Sequence, residues 1–269
     1  MSLPIIFIHR GNQDYVKIAI EQACRNNEKV ILLGDTSNKI FCDAWEDMEN
    51  LYDENRKRFQ GAFKNYSLNM AQFEFGCFER YFIINEYMRL NKLSEIIMCD
   101  SDIMLYQNMS DVDYSDYDVA LNTSNDPTDI YFSSGHCSYW TKGALESFIQ
   151  FIVNSYESDK NREKLKKHGT FLYENCGKQG ISDMTLLRDW IEQVPVKVWH
   201  ISRLNGLNPI ADHNMNCDET VFEMDSDTNL KRVEFINNTP HFYHEGRAIP
   251  AYSLHFQGHA KKYMESFLR

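Results

Sequence analysis

Two short stretches of this sequence gather side chains that can handle a cation and a phosphate. Asp100-Ser101-Asp102 sets two carboxylates at i and i+2, directly after the apolar run Ile96-Ile97-Met98-Cys99. If the backbone turns there, both can reach one ion. Hard oxygen ligands suit Mg²⁺ or Mn²⁺, which keep open positions for substrate phosphate oxygens. A simple turn cap explains the same pair equally well. Three further D-x-D pairs, Asp111/Asp113, Asp116/Asp118 and Asp225/Asp227, lie in polar stretches and read as solvated loops. The second stretch is His255-Phe256-Gln257-Gly258-His259-Ala260-Lys261. Here a histidine ends a strand-like run, a glycine lets backbone approach a ligand, and a lysine follows one turn later. His255 can give a ring nitrogen to the metal. Gly258 can bring its N–H to a phosphate, and Lys261 can offset charge on that phosphate near a helix N-terminus. Taken singly, the histidine also reads as structural and the lysine as solvated.

These groups need elements to position them. Pro4 to Ile8 is an apolar, β-branched run and predicts a buried strand. His9-Arg10-Gly11-Asn12 makes a turn, and Tyr15 to Arg25 has helical spacing at Val16, Ala19, Ile20 and Ala23. Val30 to Leu33 is a second strand, ending at Gly34-Asp35. Strand, helix and strand make a βαβ unit and predict a parallel sheet, with ligands beyond the carboxyl ends of its strands. Residues 36–68 read as short helices and loops. Phe73 to Leu90 reads as an amphipathic helix with Cys77, Tyr81, Ile84 and Met88 on one stripe. Ile96 to Cys99 and Tyr117 to Leu121 are strands, with Ile103 to Leu105 continuing the apolar pattern. Helices follow at Gly143 to Tyr156, at the charged Ser158 to His168, and at Ile181 to Ile191, which opens at Ser182 or Gly180. Val196 to Trp199 is a strand. Beyond residue 200 the signal weakens until the strand Tyr252 to Phe256 and a short terminal helix from about His259.

Composition narrows the class. The 269 residues can bury a substantial core, and 43% hydrophobic with 25% charged residues is ordinary for a globular chain. The net charge of −11 argues against a general nucleic-acid binder, whose affinity comes from neutralising phosphates. No run of about 18 apolar residues is present to span a membrane, and Met1 to Ile8 lacks a basic n-region and is short for a signal peptide. The seven cysteines are odd in number and contain no C-x-x-C, which reads as free thiols in a reducing cytoplasm rather than a disulfide framework or zinc site. Arg162, Lys164, Lys166 and Lys167 form a modest basic stretch that reads as a solvated face. With no repeat and no Pro/Gly/Ser linker, residues 1–269 read as a single α/β domain.

The strand-borne D-x-D near residue 100 and the late H-x-x-G-x-x-K together resemble the GT-A glycosyltransferases, most closely the retaining, nucleotide-sugar-dependent family 8 type. The βαβ opening, the helix bearing Glu79-Arg80, and Ile181-Ser182-Asp183-Met184-Thr185-Leu186-Leu187 are similar to segments of that family in the same order. The family has Pro-Trp after the motif lysine, where this chain has Lys262-Tyr263, and Asn-x-Gly where it has Ser133-Ser134-Gly135. The resemblance implies a Rossmann-like mixed sheet flanked by helices. It implies a nucleotide-binding half over about 1–105 and an acceptor-binding half over about 106–269 that carries the C-terminal metal and phosphate motif. Asp100, Asp102 and His255 are the expected ligands of Mn²⁺ or Mg²⁺, with Asp100 also near the ribose. Gly258 and Lys261 hold the diphosphate. His9, Asn12 and Asp35 line the base and ribose pocket. Arg80 either reaches the donor or forms a surface ion pair with Glu79 or Glu86. Asp183 is the candidate carboxylate facing the sugar, with a role favoured only by the helix dipole as its alternative.

The implied donor is a nucleotide diphosphate sugar, with UDP the expected carrier, and the acceptor a glycan or lipid-linked hydroxyl. Breaking the C1–O bond builds charge on the β-phosphate; a divalent cation and a lysine there stabilise it, and one well-placed donor is worth on the order of 3 kcal/mol. Retention at C1 follows only from the resemblance. The implied location is cytoplasmic, or peripheral at the inner face of a membrane. Two rivals stand beside this reading. A sugar nucleotidyltransferase usually shows a glycine-rich basic loop after the first strand, and here only His9-Arg10-Gly11-Asn12 follows. A non-catalytic nucleotide-sugar or glycan-binding protein would use the 13% aromatic content equally well.

Overall fold

A computed structural model describes residues 2–123, 132–205, 208–217 and 221–269. The apolar runs read above become strands β1 (Ile5–His9) and β2 (Val30–Gly34), joined by helix α1 (Asp14–Asn26). Both strands are continuous hydrophobic runs because helices or loops cover both faces of a parallel sheet. The stretch 36–68 holds more than helices and loops. It contributes strand β3 (Trp45–Asp47) and helix α2 (Glu54–Ala62). Helix α3 (Ala71–Leu90) leads into β4 (Glu95–Asp100) and β5 (Ile103–Leu105). The expected single stripe on α3 is not found. From Phe78 to Met88 every residue but Arg80 is buried, as in a helix enclosed on several sides, while Cys77 is only half-buried.

Next come β6 (Val119–Asn122), β7 (Ser134–Thr141), α4 (Lys142–Glu157), α5 (Asp159–Asn175), α6 (Asp183–Gln193) and β8 (Val198–His200). Ser182, not Gly180, caps α6, with Thr185 completing a reciprocal capping box. The main sheet has seven strands in the order β3-β2-β1-β4-β7-β6-β8. Its first four strands are parallel to one another, β7 runs antiparallel to both neighbours, and β8 is parallel to β6. The sheet is therefore mixed rather than wholly parallel, and β6, β7 and β8 come from beyond residue 105.

A second sheet explains the weak signal after residue 200. Strands β9 (Ile210–Ala211), β10 (Val233–Ile236), β11 (Thr239–His244) and β12 (Arg247–His255) join β5 in the order β10-β11-β12-β5, with β9 against β12. The chain therefore leaves one sheet at Asp100 and enters the other at Ile103, so Asp100-Ser101-Asp102 is the joint between them. The register His255↔Ile103, and the Phe256 N–H donated to Asp102 O at 3.0 Å, bring the far end of the chain to that joint. The expected terminal helix is a run of 3₁₀ turns over Gly258–Phe267. No disulfide joins the seven cysteines to one another. No helix of the described residues is long and apolar enough to cross a membrane.

Candidate active site

At the carboxyl end of β1 and β4 lies a cavity of about 360 Å³. Of the residues singled out from sequence, it is lined by His9, Arg80, Asp100, Asp102 and Lys261. Lys261 Nζ donates to Asp102 Oδ2 at 2.8 Å, and His255 Nε2 stands 3.4 Å from Asp102 Oδ1. Burial alone would raise the Asp102 pKa, but His255 and Lys261 hold it down to about 2. His255 is likewise opposed by burial and raised by the Asp102 carboxylate.

Asp100 faces the other way. Its carboxylate is paired with Arg80, whose other terminal nitrogen donates to Asp183 Oδ2 at 2.5 Å. Tyr81 Oη also donates to Asp183, at 3.1 Å. Burial and the neighbouring Asp102 charge push the Asp100 pKa up against the pull of Arg80. The sequence-based alternative for Arg80, an ion pair with Glu79 or Glu86, is not what forms. Glu79 is taken by Arg10 and Arg56, and Glu86 by Arg89. Arg80 Nε is buried and has no hydrogen-bond partner among the described residues.

Asp183, Asp35, Asn12, Gly258 and His255 sit outside the cavity lining, whereas His9 is part of it. Asp183 is the first residue of α6 and is buried against Arg80 and Tyr81. Asp35 spends its carboxylate on the turn after β1. It accepts from the Gly11 N–H at 2.7 Å and from the Ser37 N–H at 2.9 Å, and its pKa falls because these bonds outweigh burial. Gly11 itself has φ +99°, a conformation that costs a glycine little. Asn12 is exposed. His9 is held by Ser101 Oγ at 2.8 Å and Gln13 Oε1 at 2.6 Å, and burial lowers its pKa. Gly258 starts the terminal 3₁₀ run at φ +59° with open space where a side chain would stand. Two of the other D-x-D pairs are engaged locally. Asp113 accepts from Ser115, and Asp225 accepts from Asp227 and Thr228.

Among the described residues, no three His, Cys, Asp or Glu side chains are gathered as a ready metal cage. Asp102 and His255 meet, while Asp100 turns to Arg80. The donor chemistry nonetheless fits a divalent cation. The His255 Nδ1–H is donated to the His213 carbonyl at 2.6 Å, so in the neutral ring Nε2 carries the lone pair, facing a carboxylate oxygen. Two such acceptors at this separation call for a proton or a cation between them, and imidazole with carboxylates suits Mn²⁺.

Sequence reasoning missed Tyr15, Arg10 and Glu79 in the cavity wall. Lys261 Nζ lies 5.0 Å from the Tyr15 ring centroid, and the Tyr15 ring meets His9 edge-on at 5.8 Å. The helical pattern marked Tyr15 only as the start of α1. Its place beside the lysine depends on where the last residues of the chain return.

No family profile and no curated protein sequence matches this chain. Solved structures do. Mouse xyloside xylosyltransferase 1, in its apo form, superposes with a TM-score of 0.51 at 9% identity over 77% of this chain and 87% of its own. The apo structure of the bifunctional glycosyltransferase WbbM superposes with a TM-score of 0.51 at 11% identity, over 99% of this chain and 49% of its own. The mixed seven-stranded sheet flanked by helices is thus a GT-A-type glycosyltransferase fold.

Proposed function

We propose that this chain is a glycosyltransferase. It moves a sugar from a nucleotide diphosphate sugar, with UDP as carrier, to a hydroxyl of a glycan or lipid-linked acceptor, with retention, as in the family 8 type. The observation that carries this reading is the convergence on one cavity of His9 from β1, Arg80 from α3, the Asp100-Ser101-Asp102 joint and Lys261 from the end of the chain. Lys261 lies more than 150 residues from Asp102 in sequence and 2.8 Å from it in space.

In this reading Asp100, Asp102 and His255 hold Mn²⁺ or Mg²⁺. The cation supplies positive charge at the diphosphate as the C1–O bond breaks. Lys261 leaves Asp102 for the β-phosphate, where its ammonium offsets the developing charge, and the Gly258 N–H adds a donor. His9, Asn12 and Asp35 border the base and ribose. Arg80 holds Asp183 in place, and Asp183 orients a sugar hydroxyl. The unmatched Arg80 Nε gains an acceptor from the donor. An acidic protein needs such local cations, because its net charge of −11 repels a diphosphate. The work takes place in the cytoplasm, peripheral to a membrane where the acceptor is lipid-linked.

The test is a panel of UDP- and GDP-sugars with Mn²⁺, read as release of free nucleoside diphosphate. Turnover that stops in EDTA and returns with Mn²⁺ or Mg²⁺ is the expected result. Release of pyrophosphate would make the protein a nucleotidyltransferase. Binding without transfer or hydrolysis would make it a non-catalytic sugar-nucleotide binder.

A further inference from the structure

Behind the cavity, a buried ion pair holds the strap of chain that holds His255. Lys231 Nζ donates to Asp212 Oδ1 at 2.7 Å, with side chains 1% and 0% exposed. Asp212 Oδ2 accepts the backbone N–H of His255 at 3.0 Å. The next residue, His213, supplies the carbonyl that takes the His255 Nδ1–H at 2.6 Å. Backbone bonds lace this strap to its surroundings. Asp212 N–H donates to Ser253 O at 3.1 Å, Met215 N–H to His255 O at 2.9 Å, and Lys231 N–H to Met215 O at 2.7 Å. The His136 ring stacks on His255 with centroids 4.2 Å apart, and its Nε2 lies 3.2 Å from the Asp212 carbonyl oxygen. At the end of β12 a carboxylate thus does what the carbonyl of a further paired strand would do.

A buried ion pair is weak evidence for a purely stabilising role, because desolvation offsets much of the attraction and a well-packed apolar pair is often as stable. An apolar pair could not accept the His255 N–H, and the strap that carries the His213 carbonyl would lose that tie to the end of β12. We propose that Asp212, neutralised by Lys231, is a positioning residue for His255. It sets the His213 carbonyl against Nδ1 and so holds the neutral imidazole in the Nδ1–H tautomer, in which the Nε2 lone pair is turned to Asp102. An acceptor on the far nitrogen is what orients a ligand imidazole. The tautomer stands on this chain's own hydrogen bonds. Only its consequence for cation binding rests on the glycosyltransferase reading.

The test uses the full chain and two substitution schemes. Asp212→Asn keeps the shape and removes the charge. The double variant Asp212→Leu with Lys231→Met removes both charges at similar volume. Lys231→Arg keeps the pair. Thermal unfolding reports folding, and His255→Gln assigns the His255 ring signals. The ¹⁵N ring shifts, recorded where the ring is neutral, report the tautomer, and calorimetry with MnCl₂ reports cation affinity. The wild type is expected to carry its proton on Nδ1. Folded Asp212→Asn and double variants should show mixed tautomers and bind Mn²⁺ about 10-fold or more weakly, while Lys231→Arg keeps both properties. A proton on Nε2 in the wild type would overturn the proposal, and so would unchanged ring shifts in either folded variant. A changed tautomer in the variants, with no Mn²⁺ binding by the wild type, would sink the metal reading and leave Asp212 as the positioning residue.

Discussion

Asp100 and Asp102 stand two residues apart and live in different surroundings. Asp100 faces Arg80, a guanidinium also engaged by Asp183 and set in the cavity wall with its side chain 11% exposed. Asp102 faces Lys261, whose side chain is 29% exposed, and the His255 ring. A guanidinium is planar and offers its donors in a fixed fork, whereas an ammonium on a flexible stem is a mobile point charge. The carboxylates differ accordingly. Burial and Asp102 push the Asp100 pKa up, while His255 and Lys261 overcome burial to hold Asp102 at about 2. On one side of the joint a guanidinium bridges two carboxylates, and on the other a more exposed ammonium holds one.

The contrast can be broken in four ways, from the largest expected effect to the smallest. Asp102→Asn should remove a site for positive charge at the leaving group and lower kcat by on the order of three decades, while the chain still folds, as cooperative thermal unfolding would show. Near-normal turnover of UDP-sugar in this variant would end the assignment of Asp102. On the guanidinium side, Arg80→Ala strands Asp183 in a buried site without its cation. The expected loss is about 3 kcal/mol or more of stability in urea titration, and Arg80→Lys should not restore it because a compact ammonium lacks the planar fork that reaches Asp100 and Asp183 from two separate nitrogens. A wild-type urea midpoint for Arg80→Ala would show that the bridge does not stabilise the fold. Lys261→Ala should do the reverse, lowering kcat by roughly one to two decades while shifting stability by less than about 1 kcal/mol. A large stability loss with intact kcat would make Lys261 a structural residue instead.

The smallest effect belongs to an ion pair away from the joint. His168 Nδ1 lies 3.5 Å from Asp189 Oδ2, and that carboxylate raises the His168 pKa from 6.5 against the opposing effect of burial. The stabilisation is fully present below the unfolded pKa and is lost as pH rises through the higher folded value. Half-buried and solvent-screened, it should amount to well under about 1 kcal/mol. Comparing the pH dependence of urea unfolding in wild type and His168→Gln checks it. Identical slopes above pH 6.5 would remove even this contribution.

The elements that the sequence made legible are those with an unbroken apolar run or a clean apolar stripe. β1, β2 and β4 are unbroken apolar runs, and α1 and α4 carry clean helical spacing, so each is found within a residue or two of its expected bounds. β7 was missed because Ser134-Gly135-His136-Cys137-Ser138 is polar although buried. Its polar atoms are satisfied inside the fold, as where Ser134 Oγ meets His136 Nδ1 at 2.6 Å. β10 alternates half-buried and exposed positions, β11 starts with alternating half-buried and buried ones, and the two carry Asn, Thr and Pro at their turn, so no apolar run announces them.

Within the candidate site the same division holds. The types and spacing in Asp100-Ser101-Asp102 and His255 to Lys261 were visible because the chemistry is written in adjacent residues. Their meeting was not, because it depends on the antiparallel register of β12 with β5. The roles of Arg80 and Asp183 as one bridge, and of Asp212 and Lys231 as a buried clamp, were hidden for a related reason. An ionic side chain chooses its partner by distance and desolvation in the folded chain, and neither quantity is local. The sequence alone determined which groups were on hand and the βαβ start that would carry them. The tertiary structure decided which carboxylate met which cation, because only the joining of two sheets at residues 100–103 brings together groups that lie more than a hundred residues apart.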